Sequence, residues 1–465
     1  MYSATRQWNP GDEFILAGSR RIVDTALGPF DPLIYDRNPD IRPADGSTVA
    51  LRNMRRPVGE HQGAVFEALS SRLRLGFFSN SVKFDSDLSH ASLAVVAGSP
   101  EWATPRCWSF YDHVFRNGLP FLGLGLGSMP KDLPPFLDIA LDKAAVVTTR
   151  SRRLAQTDLA RRHGIDYLPC PALLSAPAAG QVHDVKRVGI VVGVPYADAV
   201  WANGLDEAFY EKACRSIDDL ITRFSDEVTF EFVLHYIDEI PVVAERFPGS
   251  ALRYSYDSAD YVDIFADYDM VISTRVHGCG IAASLGIPSI SLGHDFRSDT
   301  TDGFLSVSVD LDSAPNALTT AFEELAGRAA EVSAELGRHR AATLDSYVDM
   351  LRESLDPDAL PSIDYGADAV VPIADRDAGG PLDEAYIESV IETTSEVAEE
   401  LDEARASNGQ LRSVLTAVEE SKSAMAIELD AAREAVVRLE AELARAREAA
   451  ANQPRILRWA TRGRG

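Results

Sequence analysis

Short runs of β-branched and aliphatic residues alternate along this chain with longer stretches whose apolar positions recur every three to four residues. That is the pattern of strands joined by crossover helices in a parallel sheet. The first strand candidates are LAVVAG (93–98), PFLGLGL (120–126) and AVVTTR (145–150). A stretch of small and polar residues, APAAGQVHDVKR (176–187), interrupts the series and predicts an interdomain linker. Beyond it come VGIVVGV (188–194), TFEFVL (229–234), LRYSY (252–256), MVIST (270–274) and SISL (289–292). The expectation is an α/β protein of two Rossmann-like domains, 1–175 and 186–312, facing each other across a cleft. A helical segment over 313–355, with LTTAFEELAGRAAEV at helical spacing, returns along the body.

The pattern then changes. Residues 356–380 are rich in proline, glycine and aspartate and predict a flexible linker. From Ile387 to Ala446, positions spaced alternately three and four residues apart form a heptad seam in which fifteen of eighteen residues are apolar. Asn408 and Lys422 fall at a positions, which favours a two-stranded, register-specified coil. A C-terminal α-helical coiled coil is therefore expected over 381–450, about 90 Å long along the seam, pairing two copies as a homodimer. Residues 451–465 form a basic tail, with Arg455, Arg458, Arg462 and Arg464 around Trp459. Both a peripheral contact with an anionic membrane face and a solubilising terminus fit it.

Composition narrows the classes of partner. A formal charge of −26 argues against a nucleic-acid binder, since an acidic surface repels the phosphate backbone. An anionic substrate would need a local cluster of cations. The four cysteines, Cys107, Cys170, Cys214 and Cys279, are scattered with no Cys-x-x-Cys pair, so neither a zinc site nor a disulfide framework is expected. The opening MYSATRQWNPGDEF lacks the apolar core of a signal peptide, and no run of eighteen apolar residues occurs. A cytoplasmic protein is the expectation, with peripheral contact at the inner membrane face as the option the basic tail leaves open.

The segment richest in chemistry is DYDMVISTRVHGCGIAASLGIPSISLGHDFRS (267–298). A strand ends at Thr274, a polar Arg-Val-His turn follows, and a small-residue helix starts near Gly278. Arg275 and His277 are thereby placed at the carboxyl end of a parallel strand, where open α/β sheets bind ligands and the next helix supplies N–H donors for an anion. Arg275 suits an anion clamp and His277 a proton donor near neutral pH. A hydrogen-bonded structural histidine fits the same position. His235 and Asp238 of HYIDE (235–239) would lie at the same cleft edge, although burial is the ordinary fate of such a histidine. His235, Asp238, His277 and His294 match no compact metal-ligand spacing, so no metal is expected. The Gly123, Gly125, Gly127 run marks a tight strand end and not a dinucleotide fingerprint.

At this point the chain resembles the polysaccharide pyruvyl transferase family. STRVHGCGIAASLGIPSISL is similar to the family's Arg-x-His signature, which closes on Gly-x-Pro and a short strand. NPGDEFILAGSRRIVD (9–24) resembles its Asn-x-Gly-Asp opening and first helix. LAVVAGS and LPFLGLGLGS resemble its two glycine-tipped strands, and VTTRSRRLAQTDLARRHGIDYLPCPALL (147–174) the strand, arginine turn and helix that end its first domain. The resemblance covers about residues 8–310. It implies a GT-B-like fold and transfer of pyruvate from phosphoenolpyruvate to a glycan acceptor as a ketal, with no cofactor. It further implies His277 as the general acid and Arg275 as the donor's anion ligand; Gly278, with Gly280, lets the backbone come close and is a further substrate-binding candidate on the residues themselves. Arg150 would be a second anion ligand from across the cleft, or an ordinary surface arginine. Asn9 and Asp12 would contact the acceptor, with a helix N-cap the simpler role for Asp12. Two departures stand out. Only eight residues precede Asn9, so the opening strand is short or missing, and GHDFRS replaces the usual aromatic, aspartate and lysine, leaving Arg297 as the cation. A GT-B nucleotide-sugar glycosyltransferase and a catalytically silent coiled-coil scaffold for envelope synthesis are the competing readings.

Overall fold

The computed structural model describes residues 2–3, 10–36 and 91–355, apart from 99, 104–106, 108–109, 112–113, 115–117, 128–134, 196–204, 237–238, 256 and 294–295. The linker, coiled coil and basic tail expected over 356–465 lie outside the described residues. So do Asn9, Asp238, His294 and the side chain of Arg297.

The described strands form two six-stranded sheets. The first comprises β1 (Tyr2–Ser3), β2 (Tyr35–Asp36), β3 (Ala94–Ala97), β4 (Phe121–Leu126), β5 (Ala144–Thr149) and β6 (Asp166–Tyr167). Its spatial order is β2-β1-β3-β4-β5-β6, and every pair is parallel. The second comprises β7 (Arg187–Val191), β8 (Thr229–Leu234), β9 (Ala251–Tyr254), β10 (Met270–Ser273), β11 (Ser289–Ser291) and β12 (Val307–Ser308). Its order is β12-β11-β10-β7-β8-β9, again parallel throughout. Read from β9, this is the doubly wound order in which the chain reverses direction between its first and fourth strands, here β7 and β10. In the first sheet the reversal falls between β1 and β3. Ligands of such sheets bind beyond the carboxyl ends at these two reversal points.

Each of the eight runs picked out by hydrophobic pattern contains a strand, β3 to β5 and β7 to β11. The four others are only two residues long. The opening strand is thus present, as β1, and it carries the first sheet's reversal point.

The helices are α1 (Pro10–Leu27), α2 (Pro135–Asp142), α3 (Arg152–Ala155), α4 (Asp158–His163), α5 (Glu207–Phe224), α6 (Glu239–Arg246), α7 (Tyr261–Ala266), α8 (Val276–Ser284), α9 (Ala317–Ala326) and α10 (Ala329–Ser354). None of the described helices is long and apolar enough to cross a membrane. Helix α1 begins with Pro10, whose missing N–H costs nothing in a first turn, and carries Asp12 and Glu13 against the positive end of its dipole. It stops at Gly28, in the left-handed region at φ 93°, whose N–H caps the Asp24 carbonyl at 2.9 Å. Helix α5 starts at Asp206, whose side chain accepts the Phe209 N–H, and buries Tyr210, Ala213, Cys214, Ile217 and Leu220 at helical spacing.

Two helices join the halves. Near its start α1 places Phe14, Ile15 and Leu16 in a core shared with the second sheet, including Val188, Ile190 and Ile272. Near its end, Ile22, Val23 and Ala26 pack with Val95, Leu122 and Leu124 of the first sheet. Gly18 sits between, where a Cβ would lie 1.7 Å from the Pro171 carbonyl oxygen, so the helix crosses the 171–174 turn only because that position is bare. Helix α10 runs the other way: Ala329, Val332 and Leu336 belong to the second half's core, and Tyr347, Val348 and Leu351 to the first half's.

The segment expected as an interdomain linker is pinned. The carbonyls of Ala176 and Pro177 accept from Arg340 at 2.6 and 3.3 Å, and Pro177 also from Arg21 at 2.6 Å. Farther on, the Gly180 N–H reaches the Leu285 carbonyl and the Val182 N–H the Ser333 hydroxyl. Small polar residues here make a fixed crossing because their backbone groups find partners in the helices on either side.

Candidate active site

The two sheets present their reversal points to each other. Helix α1 springs from the first and α8 from the second, so two helix N-termini, with the positive ends of their dipoles, meet in the cleft. They meet closely: a Cβ built on Gly11 would lie 2.4 Å from His277 Nδ1. Helix α8 begins at Val276, two residues earlier than the sequence suggested. Arg275 is its N-cap in extended conformation, and His277 lies in its first turn. Ser273 shapes the entry, its hydroxyl accepting the Arg275 N–H at 2.9 Å and donating to the Arg275 carbonyl at 2.7 Å.

Arg150 reaches His277 from the first sheet. It follows β5, and its N–H is held by the Leu126 carbonyl of β4 at 3.2 Å. Its side chain is buried, with Nη1 3.5 Å from Cys170 Sγ and 3.2 Å from His277 Nε2. A guanidinium can only donate, so in this contact Nε2 is the acceptor and the imidazole proton sits on Nδ1, the side facing α1. Among the described residues no carboxylate pairs with Arg150. Its neighbour Ser151 also crosses the cleft: the hydroxyl donates to Asp299 at 3.0 Å while capping α3 through the Leu154 N–H. Arg150 is thus no surface arginine.

Arg275 sits deeper than an open clamp. Its Nη2 is ion-paired with Glu239 Oε1, the side chains being 11% and 0% exposed. Glu239 in turn accepts the His235 and Tyr236 N–H groups through Oε2 at 2.8 and 3.0 Å. The guanidinium carbon lies 4.7 Å over the Tyr236 ring. Behind this cluster His235 is buried edge-on against Tyr261, ring centroids 5.5 Å apart. Burial, reinforced by the Arg275 charge, holds its pKa well below the usual imidazole range, so it is neutral at physiological pH.

The other expected residues fall into place as follows. Asp12 lies inside the first turn of α1, next to Gly11, so it is not the N-cap. Gly278 turns its bare face away from the cleft, since a Cβ there would meet Ser273 Oγ at 2.4 Å and Val191 at 3.2 Å. It lets α8 lie against its own sheet. Gly125 is in the left-handed region at φ 63°, packed on Pro171, which bears out the tight strand end. Among the described residues no group of three His, Cys, Asp or Glu could hold a metal. Sequence reasoning missed Glu239 and Tyr236. The available signal was an acidic residue in the first helical turn after the apolar strand TFEFVL, in a protein with a cation at the adjacent strand end.

The packing of Gly11 on His277 has a measurable consequence. Gly11→Ala should force the imidazole off Arg150 and lower turnover by about tenfold, an effect of the size a sub-ångström misplacement brings. The melting temperature should stay near wild type, because only a side-chain tip is displaced. Unchanged turnover in a folded variant would show that the contact does not position His277.

Residues 9–296 match the family model described as polysaccharide pyruvyl transferase, well over half of the 465 residues. The chain belongs to the polysaccharide pyruvyl transferase family. The family match takes in both walls of the cleft, from just before α1 to beyond α8. No curated protein matches the chain in sequence. Among solved structures it is similar to S. aureus MnaA in complex with UDP, with 13% identity, 76% of this chain and 94% of that one covered, and a TM-score of 0.45. A putative UDP-N-acetylglucosamine 2-epimerase from Listeria monocytogenes matches at 11% identity over 75% and 96% of the chains, with a TM-score of 0.44. The UDP-GlcNAc 2-epimerase of Neisseria meningitidis bound to UDP-GlcNAc matches at 10% identity over 74% and 97%, with a TM-score of 0.42.

Proposed function

We propose that this transferase-family protein moves the pyruvyl group of phosphoenolpyruvate onto two hydroxyls of a sugar in a cell-envelope glycan or its precursor. The observation that carries the reading is Arg150: a buried cation with no carboxylate partner among the described residues, pressed against a histidine between two helix N-termini. Buried charges are ordinarily paired, so the missing counter-ion is best supplied by the substrate. Phosphoenolpyruvate offers a phosphate and a carboxylate, both suited to Arg150 and to the helix-terminal N–H groups.

The chemistry follows from that placement. His277 gives a proton to the methylene carbon of the enol, making a methyl group and leaving positive charge at the adjacent carbon. One acceptor hydroxyl adds to that carbon, the carbon–oxygen bond to phosphate breaks, and the second hydroxyl closes the ketal. Of the two protons released by the hydroxyls, one returns to His277 and one leaves with phosphate, so the enzyme ends as it began. General acid catalysis by a placed histidine contributes about 10²- to 10⁴-fold.

Incubation with phosphoenolpyruvate and a panel of glycan acceptors should release phosphate and give products whose mass rises by one pyruvyl ketal. No phosphate release from any acceptor, together with no thermal shift on adding phosphoenolpyruvate, would end this assignment.

A further inference from the structure

We infer that Arg150 is the residue that decides when His277 becomes an acid, and that binding of an anion is the trigger. The inference rests on reading this cleft as the donor site. It starts from a conflict in the geometry. A general acid must carry a transferable proton, yet His277 Nε2 accepts from Arg150 at 3.2 Å and so carries none. An imidazolium would point its N–H at the guanidinium's own N–H groups, donor against donor and cation against cation. While Arg150 stays where it is, His277 is a neutral imidazole.

Arg150, after β5, is against Nε2, and the titratable or charged groups on the elements that meet there are Asp12 and Glu13 in the first turn of α1 and Arg275 at the cap of His277's own helix. Asp299 lies on the second half and is engaged by Ser151, and Glu239 by Arg275. Cys170, from the turn below, touches Arg150. The guanidinium at Nε2 is a cation that lacks a carboxylate among the described residues, and it is the group an entering anion would claim first. Arg150 then turns its Nη1 from Nε2 to the anion. The freed nitrogen takes a proton from solvent, and the negative charge beside it favours the imidazolium. Proton and anion thereby enter as a pair, and by linkage each strengthens the other's binding.

This order has a chemical use. An acid that exists only when the donor is bound cannot be lost to idle proton exchange, and the charge arriving with the donor is matched by the charge gained on the ring.

The test uses the full-length protein labelled at histidine ring carbons, with His277→Gln identifying the His277 resonance among the nine histidines. Sulfate is the probe, because it does not itself titrate near neutrality. The midpoint of the His277 titration should rise by about one pH unit or more when sulfate is added, a tenfold change in proton affinity. In Arg150→Met the midpoint should already be high without sulfate, and sulfate should move it little. A wild-type titration that sulfate leaves in place overturns the proposal without recourse to any variant, and so does an Arg150→Met protein that titrates like wild type. Turnover of phosphoenolpyruvate is measured alongside. Turnover without the shift removes the switch and keeps the donor assignment, whereas the shift without turnover keeps the switch and removes the assignment.

Discussion

Arg275→Ala should lower the melting temperature by roughly 10 °C, before any effect on turnover is considered. Glu239 is fully buried and Arg275 is its ionic partner. Removing one member of a buried pair leaves an uncompensated charge, typically costing about 3–5 kcal/mol, and in a body of this size each kcal/mol is worth about 2–4 °C. The two backbone N–H groups on Oε2 soften the loss without replacing the cation. A double variant separates charge from shape. Arg275→Met with Glu239→Gln keeps a carbonyl for the His235 and Tyr236 N–H groups and removes both charges, so it should recover much of the stability lost by Arg275→Ala. Scanning calorimetry decides it: an Arg275→Ala protein melting within 2 °C of wild type would mean that the pair is not the buried, mutually dependent unit described. The practical point is that loss of activity in Arg275→Ala is uninterpretable until the melt is known.

His277→Ala is the cleaner probe of chemistry. Turnover should fall by about 10²- to 10⁴-fold with little change in melting temperature, because the ring is only half-buried. KM for phosphoenolpyruvate should hold steady or fall, since Arg150 no longer has the imidazole to leave. Arg150→Met should show the opposite signature, a raised KM, because the donor loses its buried cation. Steady-state kinetics on the two variants would expose an error in the division of labour: a raised KM with normal kcat in His277→Ala would make His277 a binding residue and remove it from proton transfer.

How much of this was legible in the sequence depended on distance along the chain. The sheet was legible because buried parallel strands are continuous apolar runs, and VVGV, TFEFVL and MVIS announce themselves whatever they touch. Two-residue strands such as β6 and β12 carry too few positions for any period. The residue pattern puts the start of α8 at its glycine, whereas the cap is Arg275, whose extended backbone is fixed by a Ser273 hydroxyl that no residue pattern reveals. Arg150 and His277 each stood out as polar residues at strand ends. That they touch is a consequence of two sheets facing each other, since the two residues stand 127 positions apart. Nothing in the sequence favours Glu239 over its neighbour Asp238, since an acidic residue in a helical first turn has an ordinary explanation in the helix dipole, and only the fold brings Arg275 to it.

The path of α10 carries a consequence for how the chain is made. The helix made last among the described elements supplies Tyr347, Val348, Leu351 and, just past its end, Leu355 to the core of the half made first. A ribosome releases the first half with one wall of that core absent, its Val95, Leu122 and Leu124 awaiting partners some two hundred residues away in synthesis. The N-terminal half therefore cannot complete its folding as it emerges, domain by domain, in the manner usual for chains of this length. Completion of the first half's core thus waits until residue 355 is free to dock, and until then the apolar face of the first sheet lacks those partners.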